Sequence, residues 1–443
     1  MWPDHSPKPT RGAGVRNIQL QPMKNITQHL NKKSNMKTFS SLTLSLIALT
    51  CAATVNAQTK VYITGSTAFR GPTTNAINAL LPGATTASDN ATLTSANAVT
   101  WTGGSIGGNA VTVKVSWSGS AGGIQTVAGA PSFNVRFLPD GATGSANQDP
   151  RQAGNPAESA VPDVCMSDVF QPATPFNGTF NGVTYATLTD NTVGVVTFVF
   201  AASKNFPLNG GTAPVSNYSF TPQLAQVLFP NGLIPLSMIT NLSADHNTGV
   251  IATGRDFDSG TRLTAMAESG VGVSTLLQQW KPTISGGAVT SLALYPRTTI
   301  NGVDTQVDGN SGESSGSTLR GFLTNTVNAA AAQNVDGTLT GGFLLTYLGV
   351  GDFNAVSASG AVQLLYAGNQ FSQTNVEEGK YTFWGYEHLD YKSTLSGVKR
   401  TFGDSLRDQI KTSTSATLNP NVALSDMQVQ RFADGGPVSS LLH

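Results

Sequence analysis

Residues 254–261 read Gly-Arg-Asp-Phe-Asp-Ser-Gly-Thr, and the rest of the chain is interpreted around this stretch. The residues before it, 248–253, are mostly apolar and predict a buried strand. After it, Leu263, Met266 and Ala267 follow the i, i+3, i+4 spacing of one helical face. The pattern therefore predicts a strand, a turn and a helix that begins inside the quoted stretch.

The predicted helix start has the composition of an anion-binding site. Asp258 or Ser259 is suited to the N-cap position. The amides of Gly260 and Thr261 then lack intrahelical acceptors and, with the helix dipole, attract negative charge. The guanidinium of Arg255 adds paired donors that match a phosphate or a carboxylate. A capped helix beside a solvated arginine is the simpler interpretation, and this stretch alone does not exclude it.

Composition restricts the function classes. The chain has 443 residues, enough for two or three domains, and only 11% of them are charged. It is also rich in small residues, with 47 glycines. This weakly charged composition is typical of exported bacterial proteins and lacks the basic character of a nucleic-acid binder.

The first 57 residues are predicted to be a leader. Residues 36–57 have one lysine, an apolar run and a small-residue cleavage pattern, so we expect a signal peptide cut after Ala57 and a periplasmic or secreted protein. Residues 1–57 hold seven of the 25 basic residues and one of the 25 acidic residues. The remainder has 18 basic and 24 acidic residues, a net charge of −6, so an anion must be bound by local donors.

The residues typical of enzymes and metal sites are sparse. Cys165 is the one cysteine after residue 57 and is expected to be a core residue. His246 and His388 are isolated in sequence, and no His, Cys and Asp cluster has metal-ligand spacing. No G-x-S-x-G or Walker A motif is present. We therefore expect no metal, no cofactor and no enzymatic activity.

The remaining pattern alternates between strands and helices. It predicts strands at 59–64, 111–117, 193–202 and 381–391, core elements at 343–348 and 362–366, and helices at 73–81, 220–229, 317–327 and up to about 412. It predicts a loop with weak strands at 84–109, and loops at 138–160 and 300–319. The helix at 220–229 has Thr221 as its cap and Pro222 at its first position. Such alternation predicts an α/β fold with largely parallel sheets.

Three other turns share the small, polar composition of the first stretch. They are residues 65–68 (Gly-Ser-Thr-Ala), 119–123 (Gly-Ser-Ala-Gly-Gly) and 167–168 (Ser-Asp). Together with 255–261 they form an ordered set that resembles the periplasmic phosphate-binding proteins of bacterial ABC importers, members of the type II periplasmic binding protein superfamily. The stretch 255–261 matches that family's Arg-x-x-x-Ser-Gly-Thr motif position for position.

The resemblance implies a two-domain α/β fold with the ligand in the interdomain cleft. Residues 58–200 and 382–443 would form domain one, and residues 201–381 domain two, with the strands at 193–202 and 381–391 crossing between them. The implied function is that of an exported, monomeric solute-binding protein. It captures inorganic phosphate for ABC-type import, with importer membrane subunits as partners and without nucleic acid.

The resemblance also implies the ligand contacts. The phosphate-binding residues would be Ser66, Thr67, Ala68, Ser120, Asp168, Arg255, Ser259, Gly260 and Thr261. Asp168 would accept the proton that phosphate carries near neutral pH. Sulfate has no such proton, so this carboxylate would discriminate against sulfate.

Three positions depart from the family pattern. Phe257 stands where the family has an aspartate that steadies the arginine, and either Asp256 or Asp258 is the candidate replacement. Ala121 replaces a second serine. Arg70 lies one turn beyond the first motif, where it is either solvated or faces the cleft and admits a bulkier anion such as a phosphate ester.

Other functions stay open at this stage. The same fold could serve a sensor or bind another oxyanion. The Gly-, Thr- and Asn-rich loops also fit an exported surface or matrix protein, and a phosphoesterase that reuses the anion site is a less favoured alternative.

Overall fold

The structure is a computed structural model that describes residues 58–441. The predicted leader and signal peptide, residues 1–57, lie outside the described residues. Among the helices of the described part, none combines the length and the apolar character needed to cross a membrane.

The described residues form 24 strands and 11 α-helices. The strands are β1 Thr59–Gly65, β2 Thr85–Ser88, β3 Ala98–Ile106, β4 Asn109–Ser116, β5 Val135–Phe137, β6 Glu158–Ala160, β7 Val164–Ser167, β8 Gly178–Phe180, β9 Val183–Tyr185, β10 Leu188–Thr189, β11 Thr192–Ala202, β12 Val215–Phe220, β13 Leu233–Pro235, β14 Thr248–Ala252, β15 Trp280–Ser285, β16 Ala288–Leu294, β17 Thr299–Ile300, β18 Val303–Asp304, β19 Thr326–Val327, β20 Gly341–Gly349, β21 Val362–Tyr366, β22 Trp384–Lys392, β23 Val429–Gln430 and β24 Ser439–Ser440. The helices are α1 Arg70–Leu80, α2 Ser120–Ala128, α3 Pro222–Asn231, α4 Ser237–Thr240, α5 Gly260–Glu268, α6 Gly316–Phe322, α7 Ala329–Val335, α8 Val350–Ser357, α9 Gln373–Glu377, α10 Gly397–Lys411 and α11 Ser415–Leu418. The predicted α/β class is confirmed.

One continuous sheet of 16 strands organises the fold. Its first half contains β2, β3, β4, β1 and β7, and its second half is built around β20. The strands β11 and β22 lie between the halves. Residues 192–197 of β11 pair with β22, whereas residues 198–202 pair with β20 and, at the end, with β21. The two strands expected to cross therefore join the two halves, while the domain bounds remain a prediction.

The sheet is mixed, so the expectation of largely parallel strands is wrong. β1 runs parallel to β4 and β7, and β14 runs parallel to β20. However, β2, β3 and β4 form an antiparallel meander, and β11 and β22 are antiparallel to each other. A two-residue turn joins β3 to β4, with Gly107 and Gly108 at φ of 55° and 78°. Positive φ at both positions is the hairpin geometry that glycine permits.

The same region contains the weak strands predicted within the loop at 84–109. They form β2 and β3, which are part of the main sheet, and Trp101 of β3 is 1% exposed. β-Branched and aromatic residues favour a pleated, half-buried surface, and this preference outweighs the Ser, Ala and Gly content. The predicted helix at 317–327 is also shorter, because α6 ends at Phe322 and Thr326 enters β19.

Helix starts were predicted more accurately. In α3 the Thr221 hydroxyl accepts a hydrogen bond from the Leu224 amide at 3.3 Å, and Pro222 is the first helical residue. α1 begins three residues earlier than expected, so that Arg70 is its first residue.

The core is centred on the two joining strands. Every residue of β11 from Val193 to Ala202 is buried. Phe200 stacks on Phe383 with ring centroids 4.5 Å apart. Each such buried side chain contributes about 1.5–3 kcal/mol relative to an exposed one. The core therefore runs continuously through the region where the two halves of the sheet meet. The predicted anion-binding turns lie in the same region.

Candidate anion-binding site

The start of α5 has the predicted cap. Ser259 is the N-cap, and its hydroxyl accepts a hydrogen bond from the Arg262 amide at 3.3 Å. The helix begins at Gly260, so the amides of Gly260 and Thr261 have no intrahelical acceptor. Of the two caps considered from sequence, the structure uses Ser259 and leaves Asp258 just outside the helix.

The Asp168 carboxylate lies directly against this helix start. Asp168 follows β7 and is 1% exposed. Its Oδ1 accepts a short hydrogen bond from the Ser120 hydroxyl, and the Thr261 hydroxyl is 3.4 Å from Oδ2. A Cβ added to Gly260 would lie 1.5 Å from Asp168 Oδ1, so glycine is needed for this approach. Three of the four predicted turns therefore converge on one buried carboxylate.

The turns meet across the two halves of the sheet. The Ala121 amide, after β4, donates to the Asp258 carbonyl, before α5, at 2.9 Å. Gly119 has φ of 96°, and a Cβ there would lie 2.6 Å from the same carbonyl oxygen. The Thr264 hydroxyl of α5 donates to the Asp168 carbonyl at 3.2 Å. The contact between the halves is thus direct at this point.

Burial alters the protonation of Asp168. It raises the pKa of this carboxyl above the ordinary value, although the Ser120 hydroxyl, Arg255 and Thr261 act in the opposite direction. The group can accept a proton from a ligand when it is ionised and donate one when it is neutral. Both roles suit a site for a partly protonated oxyanion.

A second buried carboxyl, Glu387, was missed by the sequence analysis. It lies on β22, is fully buried, and neither of its oxygens has a hydrogen-bond partner among the described residues. Burial, with the nearby Asp168 charge, raises the pKa of Glu387 well above its usual value, and Ser66 lowers it. An acid within an aromatic strand was the available signal for this residue.

Arg255 is buried and is held by backbone carbonyls. It is 2% exposed, and its Nε and Nη2 atoms donate to the carbonyls of Glu313 and Ser314, each at 2.9 Å. Arg255 and Glu313 also form a β-bridge, which places these carbonyls alongside the guanidinium. Neither Asp256 nor Asp258 hydrogen-bonds to Arg255 among the described residues, so which aspartate supports the guanidinium stays a prediction.

The two flanking aspartates are nevertheless buried close to Arg255. Burial raises the pKa of Asp256 to about 6 and that of Asp258 well above its usual value, and Arg255 lowers both. One oxygen of Asp258 accepts a hydrogen bond from Asn301 at 2.6 Å. The predicted loop 300–319 therefore supplies side-chain as well as backbone contacts to this region.

The first predicted turn lies beside this cluster. Ser66 is fully buried, and its amide donates to the Met166 carbonyl at 2.7 Å. Thr67 and Ala68 line a cavity of about 210 Å³. Within residues 58–441 no hydrogen bond joins these three residues to Ser120 or the rest of the cluster. The nine predicted residues thus separate into a central cluster of Ser120, Asp168, Ser259, Gly260 and Thr261, a buried Arg255 behind it, and an adjoining turn.

Two further predictions have a structural outcome. Cys165 is fully buried, as expected, and burial raises the pKa of its thiol.

His388 is not isolated, because its Nδ1 lies 2.7 Å from Asp190 Oδ1 and Asp390 is close by. One possible ligand atom from each of Asp190, His388 and Asp390 lies within 4.8 Å of the others, so the expectation that no such cluster exists is wrong. Strand pairing between β10 and β22 brings residues about 200 positions apart together here.

Comparisons with known proteins find loose structural likeness only. No protein-family model matches the chain, and no curated protein matches it. An ABC-type phosphate transport receptor from Vibrio cholerae is 12% identical, with 80% of this chain and 95% of that one covered and a TM-score of 0.40.

Two further structures are similar at the same level. A high-affinity periplasmic phosphate-binding protein bound with phosphate is 11% identical, with 82% and 90% covered and a TM-score of 0.38. An OxyR mutant from Corynebacterium glutamicum is 9% identical, with 83% and 69% covered and a TM-score of 0.34. At such TM-scores the likeness decides neither the ligand nor the family, so a functional assignment depends on the contacts of this chain.

Proposed function

We propose that the chain is an exported solute-binding protein that captures inorganic phosphate for ABC-type import. The observation that carries this proposal is the convergence of Ser120 and Asp168, from one half of the sheet, with Gly260 and Thr261 from the other. Hydroxyls, free helix amides and a buried acid are the groups that a hydrogen-phosphate ion requires.

The existing hydrogen bonds support the proposal. The Ser120 and Thr261 hydroxyls already face a negatively charged group, the Asp168 carboxylate. On binding, they would donate to phosphate oxygens together with the amides at the start of α5, and Asp168 would accept the ligand's proton. Arg255, whose charge lowers the pKa of Asp168, would supply the long-range attraction.

Entry of the ligand requires the turn at 119–121 to separate from residues 258–260. The joining strands β11 and β22 are the natural place for such a hinge, because the chain passes between the halves of the sheet there. The proposal therefore includes the predicted two domains, residues 58–200 with 382–443 and residues 201–381. A ligand that contacts both would favour the closed arrangement.

The position of Asp168 would also make the site selective for phosphate over sulfate. Sulfate would leave the carboxylate against an oxygen that carries no proton. An unsatisfied buried acceptor costs about 1–3 kcal/mol, and more when it is charged. We therefore expect phosphate to bind at least about tenfold more tightly than sulfate.

Calorimetric titration of the secreted chain with phosphate and with sulfate tests the proposal. Heat from phosphate at low concentration, with much weaker binding of sulfate, is the expected result. Absence of binding to either anion, or equal affinities, would refute it. A Thr261→Val variant should lose affinity for phosphate, whereas Thr401→Val, on the exposed face of α10, should not.

Experiments on the same purified protein distinguish the alternative functions. A hydrolase requires an activated nucleophile, but the Ser120 hydroxyl donates to Asp168 and the Cys165 thiol to backbone carbonyls, so neither is paired with a histidine. A surface or matrix protein would bind no small anion and would adhere to a solid phase. A sensor-linked protein would bind phosphate without requiring importer subunits. Binding of a different oxyanion is favoured by one specific observation, the cavity beside Thr67.

A further inference from the structure

The cavity of about 210 Å³ beside the central cluster lies where the two halves of the sheet face each other. Thr67 and Ala68 line it from the end of β1, and Arg70 from the start of α1. The opposite side is formed by residues around the end of β20, by Arg320 of α6 and by Asp352 of α8.

The charges around this cavity are unbalanced. The Asp352 carboxylate is 2.8 Å from the Arg320 guanidinium and 3.8 Å from that of Arg70. Both Asp352 and Arg255 also border Gly316, where an added Cβ would lie 2.1 Å from an Asp352 oxygen and 3.7 Å from Arg255 Nη1. The Asp352 carboxylate is therefore shared by two guanidinium groups, and that of Arg255 lies close to the same glycine.

Arg70 is poorly paired for a buried cation. It is 6% exposed, its contact with Asp352 is long, and its hydrogen bond to Asn97 is 3.4 Å. Burial lowers the pKa of Arg70, as do the charges of Arg320 and Arg255, while Asp352 raises it. A buried charge without a close counter-ion is unfavourable, so an anion in this cavity would be stabilised.

We infer that this cavity binds a second anionic group of the ligand. The inference rests on the proposed function: one phosphoryl group occupies the Asp168 cluster, and the linked anion lies between Arg70 and Arg320. The ligand class is a phosphorylated compound with two neighbouring anionic groups, of which pyrophosphate is the simplest. Thr67 and Ala68 line the cavity and directly follow the buried Ser66.

A neutral extension on the phosphate would leave the excess positive charge unmatched. Guanidinium groups bind phosphoryl and carboxylate oxygens through two parallel hydrogen bonds, whereas a neutral hydroxyl offers no such pairing. The cavity therefore distinguishes a doubly anionic ligand from a phosphate ester of a neutral alcohol.

Calorimetry with inorganic phosphate, pyrophosphate and glycerol phosphate tests this inference. We expect pyrophosphate to bind about tenfold more tightly than either of the others, the effect of one or two charged hydrogen bonds. Arg70→Gln and Arg320→Gln should abolish this preference while keeping the affinity for phosphate. Asp352→Asn should increase the preference, because it removes the competing carboxylate. Arg407→Gln is the control and should change nothing, because this half-buried arginine of α10 pairs with Asp404 and Asp408 and does not line the cavity.

The outcomes separate the inference from the proposed function. If phosphate binds but pyrophosphate binds no more tightly than phosphate, or glycerol phosphate binds as tightly as pyrophosphate, the second subsite is refuted and the phosphate site stands. If neither phosphate nor pyrophosphate binds, both are refuted. Arg70 is buried, so a melting curve should accompany its variant. Arg320, whose side chain is 25% exposed, provides the test if Arg70→Gln does not fold.

Discussion

The substitution Gly260→Ala tests the central contact of the site directly. Its new methyl group would lie 1.5 Å from Asp168 Oδ1 and 2.5 Å from Ser120 Oγ, distances that real Cβ contacts do not reach. The carboxylate and the hydroxyl must both move, and overpacking of this kind costs about 1–3 kcal/mol. The φ of Gly260 is not positive, so steric overlap and not backbone strain determines the loss.

A second helical glycine provides the matched control. Gly321 lies inside α6, and nothing approaches within 4 Å of the position of its added Cβ. Alanine at an open helix position is favoured over glycine by up to about 1 kcal/mol. Gly321→Ala should therefore leave stability unchanged or raise it, whereas Gly260→Ala should lower it.

Urea denaturation of the two variants and the parent measures these differences, and phosphate titration shows whether binding changes too. We expect Gly260→Ala to lose both stability and phosphate affinity, since Ser120 and Asp168 can no longer pack on the start of α5. A Gly260→Ala protein as stable as Gly321→Ala, with unchanged affinity, would show that the carboxylate does not lie against this helix.

Three other substitutions or conditions give distinct outcomes. Asp168→Asn should narrow the difference between phosphate and sulfate affinity, because an amide can donate to either anion; an unchanged ratio in calorimetry would contradict this. Arg255→Lys should reduce the free energy of unfolding by about 1–3 kcal/mol in urea denaturation, because the single lysine nitrogen does not reproduce the separate Nε and Nη2 donors that bind the two carbonyls; full stability would exclude these contacts. Burial raises the pKa of Asp390 and of Asp434 to about 7, although His388 lowers both, so the folded state binds more protons than the unfolded state between about pH 4 and pH 7. The stability that the two protonated carboxyls contribute is therefore lost as the pH rises through this range. The melting temperature should be lower at pH 8 than at pH 5.5, and this difference should be smaller in the Asp390→Asn variant.

Features set by neighbouring residues were predictable from the sequence. Thr221 and Ser259 cap their helices as expected, because a cap depends on a hydroxyl and on the amide three residues later. The long apolar run of β11 was predictable for a similar reason, since a strand buried on both faces requires one. The order of the four turns, and with it the choice of Ser120, Asp168 and Thr261, was also visible in the chain.

Features that depend on distant residues were decided only by the tertiary structure. Glu313 holds Arg255 through a backbone carbonyl, and any residue type supplies a carbonyl, so no side-chain motif marks this role. Glu387 enters the site because β22 pairs with β7, which ends beside Asp168. Asp352 becomes the shared counter-ion only because α8 faces α1 across the cavity. Capping and periodicity are local and appear in the sequence, whereas strand order and burial determine which charges meet and how strongly they interact.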